Sequence, residues 1–168
     1  MKNPRIEALA RIQTPLGPLV LAATPQGLAG AWFDDQRHHP GEIPAPFKPQ
    51  HPVLQQAAAA MQAYWNGGPQ AFTLPLDAEG TAFQQAVWRA LCEIAPGDTC
   101  SYADIARRIG NPAAVRAVGA AVGRNPLGII VPCHRVVGSD GSLTGYAGGL
   151  HRKQALLQHE SGQAALAA

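Results

Sequence analysis

The sequence predicts an α+β protein of two small domains, an antiparallel β-meander with one helix and then a helical, winged-helix-like domain that contains a helix-turn-helix. Three observations lead to this fold class. Short apolar stretches separated by turn signals fill the first third of the chain, apolar residues recur at helical spacing after residue 80, and no window is apolar enough to be a membrane span. With 168 residues, 46% hydrophobic and 14% charged, the chain can bury a core.

The N-terminal domain is predicted over residues 1–79. Its candidate strands, separated by the turn signals TPLGP and TPQG, are Ile6–Gln13, Leu19–Ala23 and Leu28–Phe33. A proline-rich connection follows, in which regular structure is disfavoured. A helix is predicted from about Pro52 to Asn66, because apolar residues recur there at helical spacing and Gly67-Gly68 stops it. We expect the domain boundary near Asp77–Gly80.

The C-terminal domain, residues 80–168, is predicted to be mainly helical. Thr81 is suited to cap a first helix, whose apolar stripe runs as far as Ile94 before Pro96-Gly97 ends it. A last helix is predicted at about Leu150–Glu160, followed by the tail SGQAALAA, which we expect to be loose.

Between these helices the pattern is typical of a helix-turn-helix. Ser101 is suited to cap YADIARRIG, Gly110 to close it, and Asn111-Pro112 to cap and start AAVRAVGAAVGR. Helix pairs that do not bind DNA are also common, so the pattern alone leaves both interpretations open.

The region from Ile105 to Ser139 contains five arginines and no acidic residue. Such a stretch can bind a polyanion, or it can be a solvated face. The second helix of the pair has only Ala, Val and Gly besides Arg116 and Arg124 over residues 113–124. Small residues permit close approach either to a DNA groove without base readout or to a neighbouring helix, and both readings are open.

The three cysteines, Cys92, Cys100 and Cys133, are odd in number and widely spaced without a CxxC pair, which disfavours a disulfide framework. The histidines do not provide the closely spaced ligands of a zinc site. The N-terminus has charged residues without an apolar run, unlike a signal peptide, and we expect a cytoplasmic protein without a membrane anchor.

Cys133 lies in IIVPCHRVVG, directly before His134. A cysteine after an apolar run is usually buried and inert. Here, however, Pro132 is expected to end a strand, His134 and Arg135 are expected to lower the thiol pKa, and a glycine-rich segment follows as a loop or hairpin. Neighbouring side chains diverge on strands and helices alike, so a direct hydrogen bond between Cys133 and His134 is disfavoured.

The stretch PCHRVVGSDGSLTGYAGGLHRKQALLQHE resembles the active-site region of the O6-alkylguanine-DNA alkyltransferases. The resemblance covers Thr81–Glu160 closely, with FQQAVWRAL, SYADIA, RAVG, RNP, PCHR, GYAGG and LLQHE in the family's order. Residues 1–79 resemble the family's variable N-terminal domain more weakly. That domain binds zinc in some members, but it has no cysteine here, so we expect no metal.

The resemblance implies a role for each matching residue. Cys133 corresponds to the nucleophile, His134 to a general base that acts through a water, and Glu160 to the carboxylate that orients it. Asn125 corresponds to the hinge asparagine. The DNA-binding and base-flipping positions are Tyr102, Arg116, Ala114 and Ala117, and the guanine pocket comprises Val136, Tyr146, Ala147 and Gly148. Arg135 is interpreted as structural and paired internally.

The resemblance further implies direct-reversal DNA repair. The protein is expected to bind double-stranded DNA in the minor groove without sequence preference, as a monomer and without a cofactor. It would flip out O6-alkylguanine, with O4-alkylthymine as a further candidate, and transfer the alkyl group to Cys133 irreversibly in a single turnover.

Three other functions are disfavoured on the residues. A lesion-binding protein without transfer activity would lack the cysteine, which is present as Cys133. A transcription regulator would need polar base-reading residues on 113–124. A cysteine hydrolase would need a histidine distant in sequence and an oxyanion hole.

Overall fold

The computed structural model describes residues 5–68 and 71–162. The chain divides into two compact units, one ending at Glu79 and the other beginning at Gly80. A three-stranded antiparallel sheet with a helix forms the first unit and helices dominate the second, so the predicted α+β class is confirmed. None of the helices in the described ranges is both long and apolar enough to cross a bilayer. Most of the C-terminal tail, residues 163–168, lies outside the described residues.

The first unit is a meander with the strand order β1-β2-β3. The strands are β1 (Ala8–Thr14), β2 (Gly17–Ala23) and β3 (Leu28–Phe33), each paired antiparallel with the next. The turn signals therefore located all three strands, with the ends of β1 and β2 shifted by one or two residues. Every residue of β3 is buried, as expected for a short strand covered on both faces.

Helix α1 (Pro52–Trp65) packs on this sheet through one buried stripe. The stripe consists of Leu54, Ala57, Met61 and Tyr64, which recur at helical spacing. His51 caps the helix, since its Nδ1 accepts a hydrogen bond from the Val53 amide, and Pro52 occupies the first turn. Hydrophobic periodicity thus predicted both the position and the buried face of α1.

The second unit is mainly helical and includes one short parallel ladder between two strands of two residues each. Its elements are α2 (Ala82–Leu91), β4 (Cys100–Ser101), α3 (Tyr102–Arg108), α4 (Val115–Gly123), a 3-10 turn (Cys133–Arg135), β5 (Val136–Val137) and α5 (Leu150–Glu160). Capping boxes begin α2 at Thr81 and α3 at Ser101, as the sequence predicts. The bounds of α5 match the prediction, whereas α2 ends before Ile94.

Helices α3 and α4 pack against each other and against α2, and they form the predicted helix pair. Gly110 has a φ of 79° and closes α3, because the Gly110 amide donates to the Arg107 carbonyl and the Asn111 amide donates to the Ala106 carbonyl. Asn111 is therefore part of the C-terminal cap of α3. The prediction that Asn111-Pro112 caps and starts the next helix is wrong, since a turn intervenes and α4 begins at Val115 without a side-chain cap.

The parallel pairing of β4 with β5 fixes the position of the 3-10 turn. Cys100 pairs with Val136 and Ser101 with Val137, so the residue that caps α3 is hydrogen-bonded to the strand that leaves the Cys133 turn. Tyr102 begins α3 immediately after β4, and Cys133–Arg135 immediately precede β5. This short ladder joins the helix pair to the segment with the candidate nucleophile.

Candidate active site

Cys133 lies in a tight turn rather than at the end of a strand. The apolar residues before Pro132 were expected to form a strand, but residues 128–130 form a turn, the Val131 amide donates to the Leu127 carbonyl, and Ile129 has a φ of 71°. This left-handed conformation is strained for a β-branched residue, and Ile129 is held in it by burial, with 1% of its surface exposed. The expectation that Cys133 follows a strand is therefore wrong; a buried, turned segment places its thiol in the interior.

The imidazole of His134 is fully buried and bonded to the last helix. His134 Nε2 lies 2.7 Å from Glu160 Oε2. Because a carboxylate accepts hydrogen bonds, Nε2 carries the proton and Nδ1 keeps its lone pair. His134 Nδ1 is buried and has no hydrogen-bond partner among the residues the structure describes. Burial lowers the pKa of His134, against the opposing effect of Glu160, so the ring is a neutral base.

The carboxylate of Glu160 is shared between His134 and Arg135. Arg135 Nε donates to Oε1 at 2.7 Å and Nη2 to Oε2 at 2.9 Å, while Nη1 donates to the Ile94 carbonyl at 2.7 Å. Burial alone would raise the pKa of Glu160, but the hydrogen bonds from His134 and Arg135 outweigh it and lower the pKa to about 2. The expected internal pairing of Arg135 is present, with Glu160 as its partner.

Asn125 connects the turn to the thiol. Its Nδ2 donates to the Val131 carbonyl at 2.9 Å and lies 3.2 Å from Cys133 Sγ, and its Oδ1 accepts from the Leu127 amide at 2.9 Å. These bonds connect the two ends of the 125–133 segment, and they are buried, since Asn125 is 5% exposed. The side chain therefore supports the strained turn and offers a hydrogen-bond donor to the sulfur.

The thiol is not acidified in the way the sequence suggested. Burial raises the pKa of Cys133, and the hydrogen bond from Asn125 and the charge of Lys153 only partly offset this effect. Glu160 neutralises Arg135, and His134 is neutral. The expectation of a pKa lowered by His134 and Arg135 is therefore wrong, and a base is needed to take the proton when the thiol reacts.

Lys153 is the nearby cation, and the sequence analysis missed it. It is fully buried on α5, and its Nζ donates to the carbonyls of Thr144 and Gly145 at 3.3 and 3.4 Å. Burial lowers the pKa of Lys153, and the interaction with Cys133 opposes this change. The spacing of Lys153, Leu156 and Glu160 on one helical stripe was the signal that could have identified it.

The helix pair presents an open surface. Arg116 and Ala117 are exposed and Ala114 is half-buried, whereas Val118 and the Ala121-Val122 pair face the interior. One face of α4 thus packs on neighbouring helices and the other faces solvent, which accommodates both sequence interpretations. The surface around α4 also includes the exposed side chains of Arg107, Arg108 and Arg124.

Tyr102, at the start of α3, is half-buried and is hydrogen-bonded to the glycine-rich loop. Its hydroxyl lies 2.7 Å from Thr144 Oγ1, and its ring lies beside Gly119 of α4. Because Lys153 binds the carbonyl of the same Thr144, the loop is held from two sides. Thr144 is a second contact that the sequence analysis did not anticipate.

The four predicted pocket residues lie on β5 and in the loop that precedes α5. Val136 is fully buried on β5, and the Tyr146 ring packs edge-on to His134 with 6.5 Å between centroids. Ala147 is half-buried and Gly148 is buried; a side chain at Gly148 would come within 2.8 Å of the Tyr146 ring. Arg152 Nη1 donates to the Gly148 carbonyl at 3.1 Å and supports this backbone. Tyr146 thus links the loop to the His134–Glu160 pair.

Comparison with known proteins assigns both units to one family. Residues 82–162 match the family described as 6-O-methylguanine DNA methyltransferase, DNA binding domain, and residues 9–78 match its ribonuclease-like domain. The chain belongs to the 6-O-methylguanine DNA methyltransferase family. The resemblance stated from the sequence is therefore confirmed.

Individual members of this methyltransferase family cover almost the whole chain. The methylated-DNA–protein-cysteine methyltransferase of Methanosarcina barkeri is 48% identical over 149 residues, 89% of this chain and 94% of that protein. The protein of the same name from Mycobacterium leprae is 44% identical over 90% of this chain and 91% of its own length. The crystal structure of Mycobacterium tuberculosis OGT in complex with DNA matches with a TM-score of 0.85 and 43% identity, covering 94% of each chain.

Proposed function

We propose that this protein repairs O6-alkylguanine in double-stranded DNA by moving the alkyl group to the sulfur of Cys133. The observation that carries the proposal is the buried pair of His134 and Glu160 directly after the protonated thiol of Cys133, in which His134 Nδ1 has no hydrogen-bond partner among the described residues. Family membership and the relatives' names support the same reaction.

In the proposed reaction His134 Nδ1 accepts the thiol proton through a bridging water, and Glu160 stabilises the imidazolium that forms. The thiolate attacks the alkyl carbon, so a sulfur–carbon bond forms while the carbon–oxygen bond to guanine breaks. The guanine leaves with the electron pair and takes a proton, which the imidazolium returns by way of water, so that the normal base and neutral His134 are both restored. Asn125, donating to the sulfur, favours the thiolate.

The proposed DNA contacts involve the open face of the helix pair. Ala114 and Ala117 allow close entry into the minor groove, Tyr102 rotates the nucleotide, and Arg116 fills the space left by the base. The half-buried position of Tyr102 beside the loop and the exposure of Arg116 and Ala117 support these roles. The flipped base would then lie among Val136, Tyr146, Ala147 and Gly148.

Several broader features belong to the same proposal. Cys133, His134, Glu160 and Asn125 all come from one chain, which supports a monomer. Residues 80–168 would bind DNA and accept the alkyl group, while residues 1–79 support them. The thioether product is stable, so each molecule would act once, and O4-alkylthymine is a further candidate substrate. A cytoplasmic location is part of the same proposal and is supported by the archaeal and bacterial origin of its relatives.

Mass spectrometry tests the proposal directly. Incubation with an oligonucleotide duplex containing O6-methylguanine should add one methyl group per protein, located on Cys133 by peptide mapping, with no further addition in excess substrate. Cys133→Ser should gain nothing, whereas the matched controls Cys92→Ser and Cys100→Ser should react normally. An unchanged mass, or a methyl group on Cys92 or Cys100, would refute the assignment.

A further inference from the structure

Arg135 belongs to the Cys133–Arg135 turn, but the proposed reaction gives it no step. Its side chain is 4% exposed and makes hydrogen bonds to both oxygens of Glu160 and to the Ile94 carbonyl. A guanidinium matches a carboxylate in this two-point geometry and stays charged at all relevant pH values. A buried cation this close to a carboxylate offsets the negative charge that other groups in contact with the carboxylate experience.

His134 also touches the carboxylate. Glu160 Oε2 receives His134 Nε2 at 2.7 Å and Arg135 Nη2 at 2.9 Å, so one oxygen serves both donors. A lone buried carboxylate at this distance would favour a protonated imidazole, which is unable to act as a base. With Arg135 in place, His134 faces an ion pair whose net charge is close to zero.

The remaining charged and titratable groups around His134 do not replace this effect. Lys153, also on α5, lowers the pKa of His134 less than Arg135 does, after the larger effects of burial and Glu160. On the turn, Cys133 is a protonated thiol. From the loop, Tyr146 packs edge-on to the ring, and burial raises its pKa well above the usual value, so it is uncharged. Cys92, beyond Arg135, also has a raised pKa because of burial.

We propose that Arg135 is a positioning residue for alkyl transfer: it fixes the Glu160 carboxylate and balances its charge, so that His134 stays neutral with Nδ1 able to take the Cys133 proton. This inference rests on the proposed function. After the proton moves, the imidazolium keeps its bond to Glu160 Oε2. Arg135 therefore prevents protonation of His134 before the reaction without removing the carboxylate that stabilises it afterwards.

The test measures the rate of single-turnover methyl transfer against pH for Arg135→Gln. Loss of the cation should favour protonated His134, so the rate should fall much more at about pH 6 than at about pH 8.5. We expect the ratio of the two rates to change by about tenfold relative to the unmodified protein, equivalent to about 1.4 kcal/mol. An equal loss at every pH indicates a purely structural role and overturns the proposal, as does an unchanged rate.

A titration that needs no transfer activity separates this inference from the proposed function. In ¹⁵N-histidine-labelled protein, the ring signal missing from His134→Gln identifies His134, and Arg135→Gln should move its titration to higher pH. Arg152→Gln, which also removes a buried arginine, should leave it unchanged. If the protein transfers no methyl group, the proposed function fails, whereas an unmoved His134 titration defeats only the role of Arg135.

Removal of Arg135 alone leaves Glu160 buried without its cation, and Arg135→Gln could fail to fold. Circular dichroism will show whether Arg135→Gln is unfolded. In that case Glu160→Gln is compared with the double variant Arg135→Met, Glu160→Gln, which has no unpaired carboxylate. The His134 titration should lie at higher pH in the double variant than in the single variant, and coincident titrations would overturn the proposal.

Discussion

Glu160→Gln should destabilise the protein by an amount that depends on pH. In the native protein the Glu160 carboxylate, with 1% of its side chain exposed, accepts bonds from His134 and Arg135. Its pKa falls from 4.5 to about 2 on folding. At about 1.4 kcal/mol for each pH unit, this corresponds to about 3 kcal/mol of stability from ionised Glu160.

The sign follows from the lowered pKa. A carboxyl group that ionises more readily in the folded state stabilises the fold above its unfolded pKa, and this contribution is lost as the pH falls from about 4.5 to about 2. Glutamine has no such dependence. The difference in unfolding free energy between the two proteins should therefore be about 3 kcal/mol at pH 7 and should shrink steadily below about pH 4.5.

Urea unfolding followed by far-UV circular dichroism at several pH values measures this difference. Asp34→Asn is the matched control, because Arg11 Nη1 binds both oxygens of Asp34 at 2.9 and 2.8 Å, but the side chains are about half exposed. That variant should lose less than about 1 kcal/mol at any pH. A difference for Glu160→Gln that stays constant down to about pH 3, or equals the control, would refute the reasoning.

Three further variants test single contacts by urea unfolding at neutral pH. Asn125→Ala loses the hydrogen bonds to Val131 and Cys133, so it should lower the free energy of unfolding by about 2 kcal/mol. It should also slow the reaction of the thiol with iodoacetamide. An unchanged stability would contradict the buried network. Trp88→Phe removes the 2.9 Å hydrogen bond from Nε1 to the Ala121 carbonyl and should lower the free energy of unfolding by about 1 to 2 kcal/mol. An unchanged free energy of unfolding would be incompatible with this bond. Ser101→Ala removes the cap of α3 and should cost about 1 kcal/mol, while Ser101→Asn, which can still cap, should cost little; equal losses would argue against capping.

Sequence signals predicted best those elements that follow a clear turn or glycine signal. The bounds of β3 and α5 were predicted correctly, because a turn signal precedes β3 and glycines precede α5. The apolar residues before Pro132 were misread as the end of a strand, since apolar composition does not distinguish a buried turn from a strand. The start of α4 was missed because Asn-Pro is a good cap signal, whereas residues 112–113 form a turn and α4 begins only at Val115, without a side-chain cap.

The sequence suggested residues for the candidate site, whereas its electrostatics became visible only in the structure. The resemblance suggested Cys133, His134, Glu160 and Asn125, and the structure places Asn125 against the Cys133 sulfur and Glu160 against the ring of His134, the next residue. The sequence did not reveal that burial would outweigh charge at the thiol, because burial depends on packing between distant segments. Lys153 was missed for the same reason, since lysine on a helix is usually exposed.

Helix α5 buries Arg152, Lys153 and Glu160 together with Leu156. Apolar side chains can exchange places at modest cost, but each of these charged groups has partners at fixed positions, namely loop carbonyls for the cations and His134 and Arg135 for the carboxylate. If the helix packed with its sequence shifted by one residue, Arg152, Lys153 and Glu160 would remain buried but would lose these partners. Helix α5 can therefore pack in only one register, and that register is required for Glu160 to reach His134.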